Sequence, residues 1–208
     1  MRGGHHSMTK TFYIMRHGQT LFNSLSKIQG FCDSPLTAYG IEQAKVAKEY
    51  FNKENISFGS AYSSTLERAE DTLELITDMD YTRLKGLKEW NFGSIEGESE
   101  SLNPPLPYKD FFVQYGGEEE KEFQSRVAAT IEGIAKNDPN DHILIVVHGA
   151  VLGQFTKLWM DHAEFEYKVG VSNCAIFKYN YTANKEFVLK DIIEHDFSHI
   201  KHLDKKIK

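Results

Sequence analysis

"HILIVVHG", residues 142–149, is an apolar run with no polar alternation, closed by a histidine and a glycine. A strand that is apolar on both faces needs cover on both, which places it at the centre of a parallel sheet with helices above and below. A second segment ends the same way: "YIMRHG", residues 13–18, finishes an apolar stretch over 11–15 on Arg16, His17 and Gly18. If the two strands run side by side in one direction, His17 and His148 emerge together at the carboxyl edge, where open α/β sheets bind their ligands.

Working outward, apolar spacing predicts a helix after Thr37 through Ile41, Ala44, Ala47 and Phe51, and another over 118–136 through Phe123, Val127, Ile131 and Ile134. A further helix is expected over 150–160. Ser64 and Glu67 are spaced as a capping box for a helix whose face is Leu66, Ala69, Leu73 and Ile76. Strands are expected at 57–64, 81–89, 171–181 and 186–193. This alternation is that of an α/β sheet sandwiched by helices.

Residues 90–117 break the pattern with Gly, Ser, Pro and acidic residues, and are read as an excursion, helical near "KDFFVQY". Irregular segments of this length usually serve a function. The aromatic residues Trp90, Phe92, Phe111, Phe112 and Tyr115 either wall a pocket or bury this excursion against the core. The reading is of one domain over 9–193 with an insertion at about 90–117, then a polar tail over 194–208 expected to be exposed. Residues 1–8, "MRGGHHSM", read as an expression leader, which removes His5 and His6 from any metal argument.

The chain has 208 residues and a formal net charge of −6, and Lys and Arg cluster nowhere outside the tail. That argues against a nucleic-acid surface, while leaving room for a small anion held by a few local cations. Apolar runs all fall short of the roughly 18 residues of a membrane helix, so neither a membrane nor a nucleic acid is an expected partner and the expected location is cytoplasmic. Cys32 and Cys174 lack metal or redox spacing, and no HExxH pattern or glycine-rich nucleotide fingerprint occurs, so no metal or other cofactor is expected. His195, His199 and His202 share helical spacing, and a polar surface helix accounts for them better than a ligand face.

Arg16, His17, Arg68 and His148 would form a small cationic basin suited to phosphate, because guanidinium forks match its oxygens. Arg68 lies in the first turn of its helix, where the dipole disfavours a cation by roughly 0.3 to 1 kcal/mol, and therefore needs a reason to be there. Gly18 and Gly149 would let backbone approach the ligand, and the helix after Gly149 would aim free amides at an anion. Glu89, in "LKEWNFGSIEG" at the end of the expected third strand, would have its pKa raised by a neighbouring phosphate and could protonate a leaving alkoxide.

Taken together, "RHGQTLFN", "QGFCDSPLTAYGIEQA", "SSTLERAEDT", "LKEWNFGSIEG", "GGEEEKEFQSRV" and "VVHGAVL" resemble, in order, the motifs of the histidine phosphatase superfamily, also called phosphoglycerate mutase-like. The resemblance implies a three-layer α/β/α sandwich, mostly parallel with one antiparallel strand, and a small cap after Glu89. It implies that His17 is a nucleophile forming phosphohistidine, that Glu89 donates a proton, and that Arg16, Arg68 and His148 hold phosphoryl oxygens. Asn23, matching the last position of RHGxTxxN, would also contact phosphate, with Gln29 and Gly30 near the substrate.

The family contains phosphatases and mutases. Between Trp90 and Glu120 the chain has one lysine, Lys109, against seven acidic residues, a poor match to a second phosphate, and it reads "EWNFG" where the mutases read "ERHYG". The expectation is therefore a metal-independent phosphomonoesterase acting on a small phosphorylated metabolite, as a monomer or homodimer. A phosphoglycerate mutase is the alternative, and an inactive binding protein on the same fold the third reading.

Overall fold

A computed structural model describes residues 9–164 and 170–204, so the leader at 1–8 and the last four residues of the tail lie outside the described residues. Six strands, β1 (Lys10–Arg16), β2 (Ser60–Ser64), β3 (Thr82–Leu84), β4 (His142–Val147), β5 (Ile176–Tyr181) and β6 (Phe187–Ile193), form one sheet in the order β3-β2-β4-β1-β5-β6. β1 runs parallel to β4, β4 to β2 and β2 to β3, while β5 lies antiparallel to both of its neighbours. β5 is thus the one reversed strand.

Alternate residues of the two central strands enter different cores, which is why the sheet carries helices on both sides. Phe12, Ile14, Ile143 and Ile145 pack with Phe123, Val127 and Ile131 of α4 (Glu120–Asn137) and Phe155 of α5 (Gly149–Leu158). Tyr13, Met15, Leu144 and Val146 pack instead with Ala44, Ala47 and Phe51 of α2 (Ala38–Lys53), which follows the one-turn α1 (Leu21–Ser24), and with Leu73 of α3 (Glu67–Ile76). Truncating a fully buried ring such as Phe155 to alanine costs about 3–5 kcal/mol.

The third strand is shorter than its sequence suggests. It ends at Leu84 and gives way to a 3-10 turn, Lys85–Leu87, so Glu89 sits in irregular backbone and not at a strand end. The turn lies tight against α4, since a β-carbon on Gly86 would fall 2.0 Å from Thr130 Oγ1. The capping box of Ser64 and Glu67 does not form. Leu66 is the N-cap of α3 without any side-chain bond, and the Ser64 hydroxyl turns toward His148. The excursion folds as 3-10 turns at Gly93–Ile95, Glu100–Leu102 and Phe111–Tyr115.

The tail is less exposed than expected. Its 3-10 turn, Ser198–Leu203, docks beside α2 through buried Ile200 and an edge-on contact of Phe197 with Tyr39 at 6.2 Å, and Asp204 accepts from Gln19 Nε2 at 2.9 Å. His195 packs edge-on against Tyr50 at 5.7 Å while His199 and His202 are exposed, so the three do not share a face. Among the described residues no helix is long and apolar enough to cross a membrane.

Candidate active site

The parallel register that pairs Arg16 with Val147 brings the next residues, His17 and His148, side by side. Their ring centroids are 5.3 Å apart, and the residues are only 2% and 0% exposed. His17 Nδ1–H donates to its neighbour's carbonyl, Gly18 O, at 2.7 Å, and Nε2 accepts from Arg68 Nε at 3.3 Å. This fixes the tautomer with the lone pair on Nε2. Burial, then Arg68 and Arg16, push the His17 pKa well below the ordinary imidazole value, so the ring is neutral.

His148 is set by a different partner. Ser64 Oγ accepts the Leu66 N–H at 3.2 Å and lies 2.7 Å from His148 Nε2. The other ring nitrogen, Nδ1, is buried without a partner among the described residues. Burial first, then Arg68, holds this ring neutral too.

Arg68 is 1% exposed, and its place in the first turn of α3 is explained by its socket. Nη1 donates to Cys32 O and to Asp33 Oδ1, both at 2.9 Å, and Nη2 to Gly30 O at 2.8 Å. A buried guanidinium is tolerated only with this degree of pairing. Glu96 holds the socket by accepting from the backbone of Phe31 at 2.9 Å and Cys32 at 2.5 Å, and from Phe92 at 3.0 Å. Gly30 is therefore a packing residue: a β-carbon there would fall 2.2 Å from Trp90 O.

Arg16 donates through Nη1 to Val171 O, while its Nε is buried without a partner among the described residues. Gly149 borders the cavity, and a β-carbon there would make only an ordinary contact with that Nε, at 3.4 Å, so the guanidinium does not require a glycine. Gly18 does not serve a ligand. It abuts α2, where a β-carbon would meet Gly40 O at 2.4 Å, and its N–H donates to Thr72 Oγ1 at 3.0 Å.

The amides at the start of α5 are already engaged. Glu89, 7% exposed, accepts from Ala150 N at 3.0 Å, Val151 N at 3.2 Å and Trp90 N at 3.0 Å. Burial raises its pKa above the ordinary carboxyl value, opposed by these amides and by Arg68 and Arg16. The segment carrying Glu89 is held from behind by Arg126 of α4. Its guanidinium donates to Gly86 O, Lys88 O and Glu89 O at 3.0, 2.9 and 3.1 Å, and forks onto Glu118 at 2.8 Å through both Nε and Nη2. Glu118 in turn accepts from Asn91 N at 2.9 Å. The pair braces the backbone on both sides of Glu89. Neither residue was singled out from sequence, although both lie within "GGEEEKEFQSRV".

Arg16, His17 and Glu89 border a cavity of about 660 Å³, whereas Arg68 and His148, which touch or adjoin His17, are not part of its lining. Arg16, His17, Asn23 and Gly149 form its floor, with Glu89, Trp90, Phe92, Glu100 and Tyr108 along the wall. Asn23 Oδ1 accepts from Thr20 N at 3.1 Å and Asn173 Nδ2 at 3.2 Å, which leaves its amide nitrogen for the cavity. Gln29 reaches the edge but is tied to Thr20 at 3.0 Å and Ser34 at 2.5 Å. The two readings of the cap aromatics divide between residues: Trp90 and Phe92 face the cavity, while Phe112 is fully buried and Phe111 and Tyr115 pack against the core. Among the described residues no group of three His, Cys, Asp or Glu side chains is placed to hold a metal ion.

Residues 12–192 match the sequence model of the Histidine phosphatase superfamily (branch 1). A metal-independent phosphoserine phosphatase of Arabidopsis thaliana is 31% identical over 153 residues, which are 67% of this chain and 64% of that protein. The crystal structure of a phosphoglycerate mutase from Bacillus anthracis superposes with a TM-score of 0.79 at 25% identity, covering 96% of this chain and 98% of the other. That of a phosphoserine phosphatase from Entamoeba histolytica in complex with 3-phosphoglyceric acid superposes with a TM-score of 0.71 at 27% identity, covering 90% and 98%.

Proposed function

The chain belongs to the histidine phosphatase superfamily, and from that premise we propose that it hydrolyses small phosphomonoesters through a phosphohistidine at His17. The observation that carries this reading is the state of His17: neutral, its proton committed to Gly18 O, its Nε2 lone pair turned toward a guanidinium. That atom is a nucleophile aimed at an anion site. Arg16 Nε, His148 Nδ1 and the Asn23 amide are the donors for the phosphoryl oxygens, and Arg68, otherwise held by its socket, adds charge and the one Nη2 N–H its partners leave over, each charge-assisted bond being worth roughly 1.5 to 3 kcal/mol. The guanidiniums supply charge that metal ions often supply in phosphoryl transfer.

His17 Nε2 attacks phosphorus, the ester P–O bond breaks, and the departing alkoxide takes the Glu89 proton. The alcohol leaves. Glu89, now a carboxylate, takes a proton from water as that water attacks the phosphohistidine, releasing inorganic phosphate and restoring neutral His17. Burial assists the first half by keeping a proton on Glu89 above the pH where a solvated carboxyl loses it.

The relatives name phosphoserine and 3-phosphoglyceric acid, which bound the size of substrate the cavity is proposed to take. The buried Cys174 and half-buried Cys32 suit a cytoplasmic enzyme. Hydrolysis of p-nitrophenyl phosphate with EDTA present tests the reading. Turnover that survives the chelator and disappears in His17→Ala is expected, and activity that EDTA abolishes and a divalent ion restores would contradict it. The likeness to a phosphoglycerate mutase favours a second reading. Mutase turnover matching the best hydrolysis would establish it.

A further inference from the structure

The segment before β5 does more than connect. Its sequence reads as one strand over 171–181, yet β5 begins only at Ile176 and the chain turns at Asn173 and Cys174. Cys174 is left-handed, with φ +59°, a conformation that residues other than glycine seldom adopt. Ala175 N closes the turn onto Ser172 O at 3.1 Å, and Cys174 N donates to Arg16 O and His17 O at 3.1 and 3.3 Å. Val171 O takes the Arg16 guanidinium. The turn thus grips the end of β1, and a left-handed residue persists where its surroundings over-determine it in this way.

From the turn, Asn173 Nδ2 donates to His17 O at 3.0 Å and to Asn23 Oδ1 at 3.2 Å. The first bond decides which end of the Asn173 amide lies here, because a backbone carbonyl only accepts. That carbonyl also has the Cys174 N–H, so the bond to Asn23 is the one without a substitute. Asn23 Oδ1 accepts from Thr20 N at 3.1 Å as well, which uses both of its lone pairs and leaves the amide nitrogen for the cavity that Asn23 borders. A flipped Asn23 would set its NH2 against two donors. One of them, Thr20 N, lies in the capping box of α1 itself, and a helix of four residues is too short to hold its shape alone. The other, Asn173, stands 150 residues away and ties Asn23 to the backbone of His17.

We infer that Asn173 is a positioning residue, which holds Asn23 in the one orientation that presents N–H to a phosphoryl oxygen beside His17. It is not part of the cavity lining and acts through Asn23. The inference rests on the phosphatase reading above, in which Asn23 is one of the phosphoryl donors.

The test is a double-mutant cycle of Asn173→Ala and Asn23→Ala, read as the inhibition constant of inorganic phosphate and as kcat/KM for p-nitrophenyl phosphate. Asn23→Ala should weaken phosphate inhibition about 10-fold, and Asn173→Ala, which frees the Asn23 side chain to turn, about fivefold. The double variant should lose about 10-fold and not the roughly 50-fold of independent sites, because the second change removes nothing once Asn23 is gone. kcat/KM should follow the same pattern, with the ratio of alkyl to aryl ester turnover as in the wild type. Losses that multiply would show a merely structural role, and they overturn the assignment while leaving the phosphatase reading intact. So does wild-type phosphate inhibition in Asn173→Ala beside a weakened Asn23→Ala. Wild-type inhibition in Asn23→Ala removes Asn23 from the donors and the assignment with it, and absence of p-nitrophenyl phosphate hydrolysis by the wild type overturns the phosphatase reading and the assignment together. Should Asn173→Ala fail to fold, Asn173→Ser, which suits a turn but is too short to reach Asn23, takes its place with the same outcomes.

Discussion

On the floor of the cavity, His17 and His148 stand at the ends of two central strands hydrogen-bonded along their whole length and packed between two cores. On the wall, Glu89 stands in backbone that belongs to neither strand nor helix, held by a few side-chain bonds to Arg126 and Glu118. Both regions deliver a buried titratable group to the same place. They differ in what fixes it: the floor by a ladder that no single side chain controls, the wall's backbone by the pair Arg126 and Glu118. The floor is therefore expected to lose most of its function only when its reacting groups are changed, and the wall also through a residue that never touches substrate.

The largest effect is expected on the floor. His17→Ala removes the proposed nucleophile and should lower hydrolysis of every ester by at least about 10⁴-fold. A smaller loss, measured under single-turnover conditions, would mean that another group attacks. On the wall, Glu89→Gln should slow alkyl phosphates by about 10² to 10⁴-fold and aryl phosphates far less, because only the poorer leaving group needs the proton. Equal slowing of both would take Glu89 out of that role.

Arg126 gives the sharpest version of the contrast. Arg126→Met leaves Glu89 in place chemically but frees its backbone, and a misplacement of about 1 Å can cost on the order of 10²-fold. The loss should carry the alkyl-over-aryl signature of Glu89→Gln, with inorganic phosphate inhibiting as it does in the wild type. Uniform slowing together with weakened phosphate binding would show instead a general structural defect. Ser64→Ala, its counterpart on the floor, should cost less, on the order of 10-fold, and should affect both ester classes alike, because it disturbs His148, a proposed ligand of the phosphoryl oxygens, and not the proposed proton donor.

The smallest effect is on stability against pH. His17 and His148 have folded pKa values below the ordinary 6.5, so below that pH the unfolded chain binds more protons and stability falls as the solution is acidified. Glu89 acts with the opposite sign: its folded pKa is raised, so its contribution is present at low pH and lost as pH rises through that value. Urea midpoints should therefore decline from pH 7.5 to 5.5, and His148→Gln should flatten that decline. A midpoint that does not move over this range would contradict neutral, buried imidazoles.

The two halves of the site were unequally legible in the sequence. The floor is announced by local pattern: an apolar run ending in His-Gly, twice, determines strand type, sheet position and the meeting of the rings. The reversed strand and the cap agree with the family resemblance. The wall is announced poorly. Tyr81 to Glu89 reads as a strand by composition, but the chain turns at Lys85–Leu87, where Gly86 lies too close to Thr130 to carry a side chain. Arg126 looks like one more charged position on an amphipathic helix, and its carbonyl partners lie 37 to 40 residues away. The same holds for Ser64, which local spacing assigns to a helix cap and tertiary contact assigns to His148, 84 residues on. Periodicity reports which face of an element is buried. It carries no information about which distant polar group will claim a side chain.

The central claim is that phosphorus is transferred to one imidazole nitrogen. Rapid acid-free quenching of the enzyme with a ³²P-labelled phosphomonoester, followed by peptide mapping, tests it most directly. The account predicts an acid-labile, base-stable label on His17 that forms and decays at rates consistent with turnover and persists longer when Glu89→Gln slows its hydrolysis. Label on any other residue, or turnover at full rate with no labelled histidine, would contradict it.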